Sequence, residues 1–220
     1  MLRASFLLSS CAIAAGLASP AEAADADGFY IGVQSGWQQT GDHYHGVWKT
    51  TPPMPWDLGT HSGDGATGGV HVGYEHHIGG AFVGAEADLE ATSPKADWVM
   101  NGWRMTAKPK AQGSLRARIG FSPGKTQIYI TGGFATAAVE HTYRDTAPES
   151  AEFYSHNRTM TGYSVGAGLG YRGHGPVSVH IEYRYAGFGQ METEVSPAWQ
   201  QIDLHRVRTH AVQVGVSYRL

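Results

Sequence analysis

Along most of this chain apolar and polar residues alternate, in short runs separated by tight turns or longer polar stretches. The final run is the plainest. His210, Val212, Val214, Val216, Tyr218 and Leu220 fall on one side of an extended chain, and Ala211, Gln213, Gly215, Ser217 and Arg219 on the other. A period of two is the repeat of a strand, since successive side chains leave an extended backbone on opposite faces. A strand with one long apolar face invites aggregation at an open edge, whereas a barrel that closes it against the first strand has no edge.

Seven further runs precede it. The first strand, 28 to 38, sets Phe29, Ile31, Val33, Ser35 and Trp37 against Tyr30, Gly32, Gln34 and Gly36. Residues 39 to 65 follow as a long polar loop with Pro52, Pro53 and Pro55. The second strand, 66 to 76, has Val70, Val72 and Tyr74 outward and His71, Gly73 and Glu75 inward, and a tight turn over 77 to 80 leads into the third, 81 to 91. There Val83, Ala85, Ala87 and Leu89 oppose Glu86, Asp88 and Glu90, which first indicates a polar interior. A loop from 92 to 108 precedes the fourth strand, 110 to 120, with Gln112, Ser114, Arg116 and Arg118 on its polar face. After the turn at 121 to 125 come the fifth strand, 126 to 140, a loop over 141 to 159, and the sixth strand, 160 to 172. The inward face of the sixth carries Gly162, Ser164, Gly166, Gly168 and Gly170, leaving room for large side chains from opposite walls. A turn at 173 to 176, a seventh strand at 177 to 187 and a loop over 188 to 207 complete the order. Short turns alternating with long loops are the pattern of strands threading a membrane from one side. The expected fold is therefore an all-β, eight-stranded antiparallel up-and-down transmembrane barrel. Tyr74, Phe121, Tyr171 and Tyr218 gather at the turn ends and Trp37 and Tyr185 toward the loop ends, as two interfacial aromatic belts require.

Composition sharpens the picture. Thirty glycines, 11% aromatic residues and only 16% charged residues suit strands, turns and interfacial rings. No stretch beyond Ala23 has the roughly 18 consecutive apolar residues of a membrane helix, and mean hydropathy is -0.29. At the N-terminus, Arg3, an apolar run from Phe6 to Ala18 and Ala21-Glu22-Ala23 compose a secretory signal peptide cut after Ala23, so residues 1–23 are read as leader and 24–220 as barrel. Cys11 is the only cysteine, and the lipoprotein-like context around it is broken by the apolar residues that follow. The mature chain then has no thiol for a disulfide, a metal or a nucleophile. A net charge of -3 argues against nucleic acid as a partner.

Gln213-x-Gly215-x-x-Tyr218-x-Leu220 resembles the C-terminal signal that delivers outer-membrane barrels to their assembly machinery, although that signal usually ends in Phe and here ends in Leu. Together with the Gly-rich strands, Thr131-Gly132-Gly133-Phe134-Ala135, Ile181-Glu182-Tyr183-Arg184-Tyr185 and Val216-Ser217-Tyr218-Arg219-Leu220, the chain resembles the opacity-type and OmpA-like small outer-membrane β-barrels of Gram-negative bacteria across residues 24–220. The resemblance implies a place in the outer membrane, in contact with its lipid and lipopolysaccharide. Its motifs specify architecture more than role, because the family includes structural proteins, adhesins and proteins called porins. It also implies a Glu and Arg network that blocks the lumen. The candidates here are Glu86, Arg116, Arg118, Glu182 and Arg184, of which Glu86, Arg116, Glu182 and Arg184 come to similar heights when counted from the short turns.

Other constellations carry less. Ser178, His180 and Glu182 share one strand face, yet residues two apart on a strand are roughly 6.5 to 7 Å apart, too far for a nucleophile and its base. They are read as lumen residues, and no enzyme, cofactor or metal is expected. His43, His45 and His61 in the first loop could each ligate a divalent ion, but a mobile loop does not fix a coordination geometry, and they are read as polar surface. Trp48, Trp56, Trp98, Trp103 and Trp199 lie in or beside loops, as belt residues or contacts to another surface. The leading expectation is a structural barrel anchoring surface loops; a small porin-like channel and an adhesin are the alternatives.

Overall fold

In the computed structural model, which describes residues 27–49, 52, 54–100, 102–146, 153–173, 175–189, 191–194 and 201–220, the alternation becomes a closed wall. The leader assigned to residues 1–23 and the side chains of Trp48, Trp56 and Trp199 lie outside what is described. The strands are β1 (Gly28–Trp48), β2 (Met54–Ile78), β3 (Ala81–Thr92), β4 (Ala96–Met100), β5 (Trp103–Phe121), β6 (Thr126–Asp145), β7 (Phe153–Arg172), β8 (Val177–Phe188), β9 (Met191–Glu194) and β10 (Gln201–Arg219). Eight of them, β1, β2, β3, β5, β6, β7, β8 and β10, pair antiparallel with their neighbours in the ring, and β1 pairs with β10 to close it. Ile31 meets Tyr218, Val33 meets Val216 and Trp37 meets Val212 across that seam. Closure satisfies the backbone groups that lipid cannot.

Burial is inverted relative to a water-soluble domain. On β5, Leu115 is 61% exposed and its neighbour Arg116 only 1%. The same holds round the ring, with Ile31, Val72, Ile130, Leu169, Ile181 and Val214 outside and Gln34, His71, Thr131, Glu182 and Gln213 inside. Exposed Phe29, Tyr74, Phe121, Tyr171 and Tyr218 ring the end with the short turns, whose chain reversals use Gly79, Gly124 and Gly175 at positive φ. At that end Asp27 accepts the His77 backbone N–H at 2.7 Å and bonds the His76 ring, clipping the start of β1 to the β2–β3 turn. Those bonds hold its carboxyl below the usual range.

The long segments read as loops are mostly strand. Residues 39–65 are the far halves of β1 and β2, paired from Gln39↔Asp64 to Trp48↔Met54; 92–108 holds β4 and the start of β5, and 188–207 holds β9 and the start of β10. β6 likewise runs on to Asp145, and β7 begins at Phe153. Beyond the bilayer there is no lipid to demand an apolar outer face, so the period-two signal fades while backbone pairing persists.

Past Thr92 and Phe188 the ring opens into two four-stranded sheets, β9-β10-β1-β2 and β4-β5-β6-β7. Ser93 donates its backbone N–H to Ala66 O at 2.9 Å, and the chain then crosses the inward side of β2, so that a Cβ on Gly63 would collide with the Lys95 carbonyl. β4 is thereby tucked against the inside of the other sheet. Its Trp98 packs on Tyr44 of β1 (centroids 5.7 Å) and stacks on His61 of β2 (4.6 Å, 7°).

Candidate functional site in the barrel lumen

The strand period puts every second residue inside, and on β3, β5 and β8 those residues are charged. Register makes Glu86 and Arg116 direct cross-strand partners. The Arg116 side chain is fully buried and bonds Glu86 at 2.6 Å, Asp88 at 3.2 Å, Glu182, and the Thr131 hydroxyl at 3.0 Å. Its planar fork suits this, since divergent N–H groups can serve carboxylates from two walls at once. Arg184 joins Glu90 at 2.8 Å, Glu182 at 3.2 Å and Asp88 at 3.4 Å. Arg118, nearer the turns, bonds Glu86 at 3.0 Å and lies over the Tyr129 ring at 3.7 Å. Glu86 also accepts the Tyr30 hydroxyl at 2.8 Å.

Thus the structure brings Glu86, Arg116, Arg118, Glu182 and Arg184 into one connected network. It extends further than those five in both directions. Below, Glu75 collects Arg219 at 2.8 Å, Arg118 and Arg172 at 3.5 Å each, and the Gln127 amide at 3.2 Å. Above, Glu90 accepts the Gln213 amide at 2.8 Å and that of Gln34. Within this network Glu75, Glu86, Asp88, Glu90 and Glu182 are matched in number by Arg116, Arg118, Arg172, Arg184 and Arg219, so its formal charges sum to zero.

Space comes from glycine, though not as its position on β7 suggested. The room at Gly168 is occupied by Tyr129 of the adjacent β6, not by a side chain from across the lumen, and a Cβ there would overlap the ring. The His180 ring lies on Gly215 of neighbouring β10 in the same way. Of the four residues assigned to the assembly signal, Gln213 and Gly215 therefore face the lumen, while Tyr218 and Leu220 are exposed on the outer side.

Ser178, His180 and Glu182 go to different surroundings. His180 meets His71 edge-on at 5.3 Å, His71 bonds Ser217 at 2.8 Å, and Glu182 is held by Arg116 and Arg184. The three histidines of the first hairpin divide between faces: His43 is on the outer side, bonded to Thr60 at 3.1 Å and 5.2 Å from the His45 ring, whereas His61 faces inward against Trp98. With His61 on the opposite face from His43 and His45, the three do not converge on one point.

One inward feature was not anticipated from the sequence. Beyond the charges, the interior becomes apolar where Ala135, Ala137, Val139, Met160, Ala186, Phe188 and Val207 form one buried cluster. Tyr44, Ala96, Trp98 and Ala107 form a second beneath the tucked β4. The signal for the first is a phase change along β6. Ile128 and Ile130 face out, but from Ala135 onward the apolar residues Ala135, Ala137 and Val139 face in and Thr136 and Glu140 face out.

Comparison with known proteins agrees with this architecture. A family model described as an outer membrane protein beta-barrel domain matches residues 8–219. The 31 kDa outer-membrane immunogenic protein of Brucella melitensis is 26% identical over 162 residues, covering 70% of this chain and 66% of the relative, just under two thirds of its length. A 22 kDa outer membrane protein of Rhizobium leguminosarum is 32% identical over 124 residues, covering 56% of this chain and 53% of the relative. Among solved structures, Neisserial surface protein A has 16% identity and a TM-score of 0.43, covering 87% of this chain and 97% of its own. The outer membrane protein OprG of Pseudomonas aeruginosa has 10% identity and a TM-score of 0.44, covering 88% and 97%.

Proposed function

The chain belongs to the outer membrane protein beta-barrel family and resides in the outer membrane, and we propose that there it is a structural barrel holding surface hairpins on a filled, non-conducting lumen. The observation that carries this reading is Arg116, whose side chain is 0% exposed and held by three carboxylates at the centre of a balanced network. A pore needs a continuous wet path with charges along its wall, and an eight-stranded barrel has an interior only about wide enough for side chains to fill. The apolar cluster of Val139, Met160, Phe188 and Val207 adds a second obstruction beyond the charges. No catalytic role is proposed for Ser178, His180 or Glu182.

The hairpins supply the outward half of the proposal. β1 and β2 continue well past the lipid-facing residues, and the Brucella relative is described as immunogenic, which fits surface presentation. Adhesion would be one use of such a surface. Planar-bilayer recording of the purified protein tests the reading. We expect no steady, large conductance, and stable ohmic channels of porin size would replace the anchoring role with transport.

A further inference from the structure

We infer that the outward face of the first hairpin, at the irregularity where β1 pairs with β2, binds one divalent transition-metal ion of the zinc class through His43, His45 and Asp57. The site stands outside the lumen and is the same whether or not the barrel conducts.

The local backbone makes it. Pairing steps from His43↔Thr60 to His45↔Asp57, so an advance of two residues on β1 is matched by three on β2. Gly59 takes up the extra residue at φ 79°, the left-handed conformation that a bulge of this kind uses. Residues three apart on a regular strand point to opposite faces; here the bulge leaves Asp57 and Thr60 on one outward face, beside His43 and His45. The Gly59 N–H also donates to Asp57 Oδ1 at 2.7 Å, which holds the carboxylate with Oδ2 3.5 Å from His43 Nε2. On the other side of that ring, Nδ1 meets the Thr60 hydroxyl at 3.1 Å. With Nδ1–H donating there, Nε2 carries the lone pair, and an oxygen partner on the far nitrogen is how proteins commonly orient a metal-binding imidazole.

Distances select the ligand. In a tetrahedral site with bonds of about 2.1 Å, donor atoms lie about 3.4 Å apart and two bound imidazoles have centroids about 5 Å apart. His43 Nε2 and Asp57 Oδ2 meet the first condition at 3.5 Å, and the rings of His43 and His45 meet the second at 5.2 Å. That is closer than the roughly 6.5 to 7 Å between residues two apart on a strand, so the two rings lean together. Among the described residues no three such groups converge on one point as they stand. Two do so here, and His45 completes the set by turning its ring in place. Arg206 flanks His43 from β10, on the side away from Asp57, so its charge does not stand between the donors. Two imidazoles and one carboxylate suit zinc, copper or nickel, whereas calcium and magnesium call for oxygen ligands. A bound ion would clip β1 to β2 across the bulge.

The test uses the mature barrel, refolded in detergent without an affinity tag, with zinc affinity read by competition against a chromophoric chelator. Wild type is expected to bind one zinc ion at least about tenfold more tightly than His43→Gln, His45→Gln or Asp57→Asn, the loss that even an outer partner of a ligand commonly causes. Cobalt in place of zinc should give wild type the visible absorption of a tetrahedral centre, and Asp57→Asn should lack it. His61→Gln, on the opposite face, should bind as wild type does, and heat-dependent gel mobility checks that every variant is folded. Equal zinc affinity in wild type and His43→Gln/Asp57→Asn would overturn the site, as would unchanged affinity in His45→Gln or a matching loss in His61→Gln. Calcium displacing zinc mole for mole would overturn the imidazole assignment in favour of a cation held by oxygen alone.

Discussion

Arg116 concentrates the energetics of the lumen at a single side chain. Its removal leaves Glu86, Asp88 and Glu182 short of positive charge in a space closed to water. Breaking a buried ion pair from one side costs on the order of 3 to 5 kcal/mol, because the surviving charge keeps its desolvation cost and loses its partner. Arg116→Ala is accordingly expected to lower the urea unfolding midpoint in detergent, and Glu182→Ala to do the same, whereas an unchanged midpoint would mean water already solvates the network. Glycine acts at the same scale through contact. Gly168→Leu would drive into Tyr129, the ring on which Arg118 rests, and overpacking of this kind costs roughly 1 to 3 kcal/mol. Ala167→Leu, one residue away on the lipid face, is the matched control and should leave the same unfolding curve nearly unmoved.

Strands in this barrel change character along their length. Within the bilayer their apolar side faces lipid; beyond it, as the order from Ile130 to Val139 on β6 illustrates, the apolar side turns inward because water now lies outside. The lower half is therefore organised like a membrane barrel and the upper half like a water-soluble β-structure, with its own small cores. β10 carries a further task at its lower end, where Tyr218 is exposed at the belt and pairs with Ile31. If the terminal pattern is read by an assembly machinery, Tyr218→Ala lowers yield in the outer membrane while refolding in detergent stays near the wild-type level. Equal yields in cells would show that the residue serves only as a belt aromatic.

For the whole molecule, closure is the decisive property, since an unclosed sheet would expose two rows of backbone groups to hydrocarbon. Val33 and Val216 face one another across the seam. Val33→Cys/Val216→Cys is expected to form a cross-link between the first and last strands in folded protein, detectable as a non-reduced unfolded species of altered mobility that either single variant lacks. Absence of that species under oxidising conditions would contradict a closed ring.

Much of this was legible from residue order because lipid enforces the simplest rule in protein structure. Outward positions between the aromatic belts are apolar with few exceptions such as Ser35, and inward ones are free to be polar, so Val70 to Tyr74, Val83 to Leu89 and Val212 to Tyr218 each announce a strand, its faces and its approximate height. The inward direction of Glu86, Arg116, Glu182 and their neighbours follows from the same parity. Which carboxylate meets which arginine does not, because partners such as Arg116 and Glu182 lie 66 residues apart and face each other only when tilt and register are set. Outside the bilayer the rule lapses. The upper strands, the split into two sheets, the tucking of Trp98 onto His61 and the apolar cluster around Phe188 all depend on long-range packing against surfaces made by other strands, and only the tertiary structure decided them.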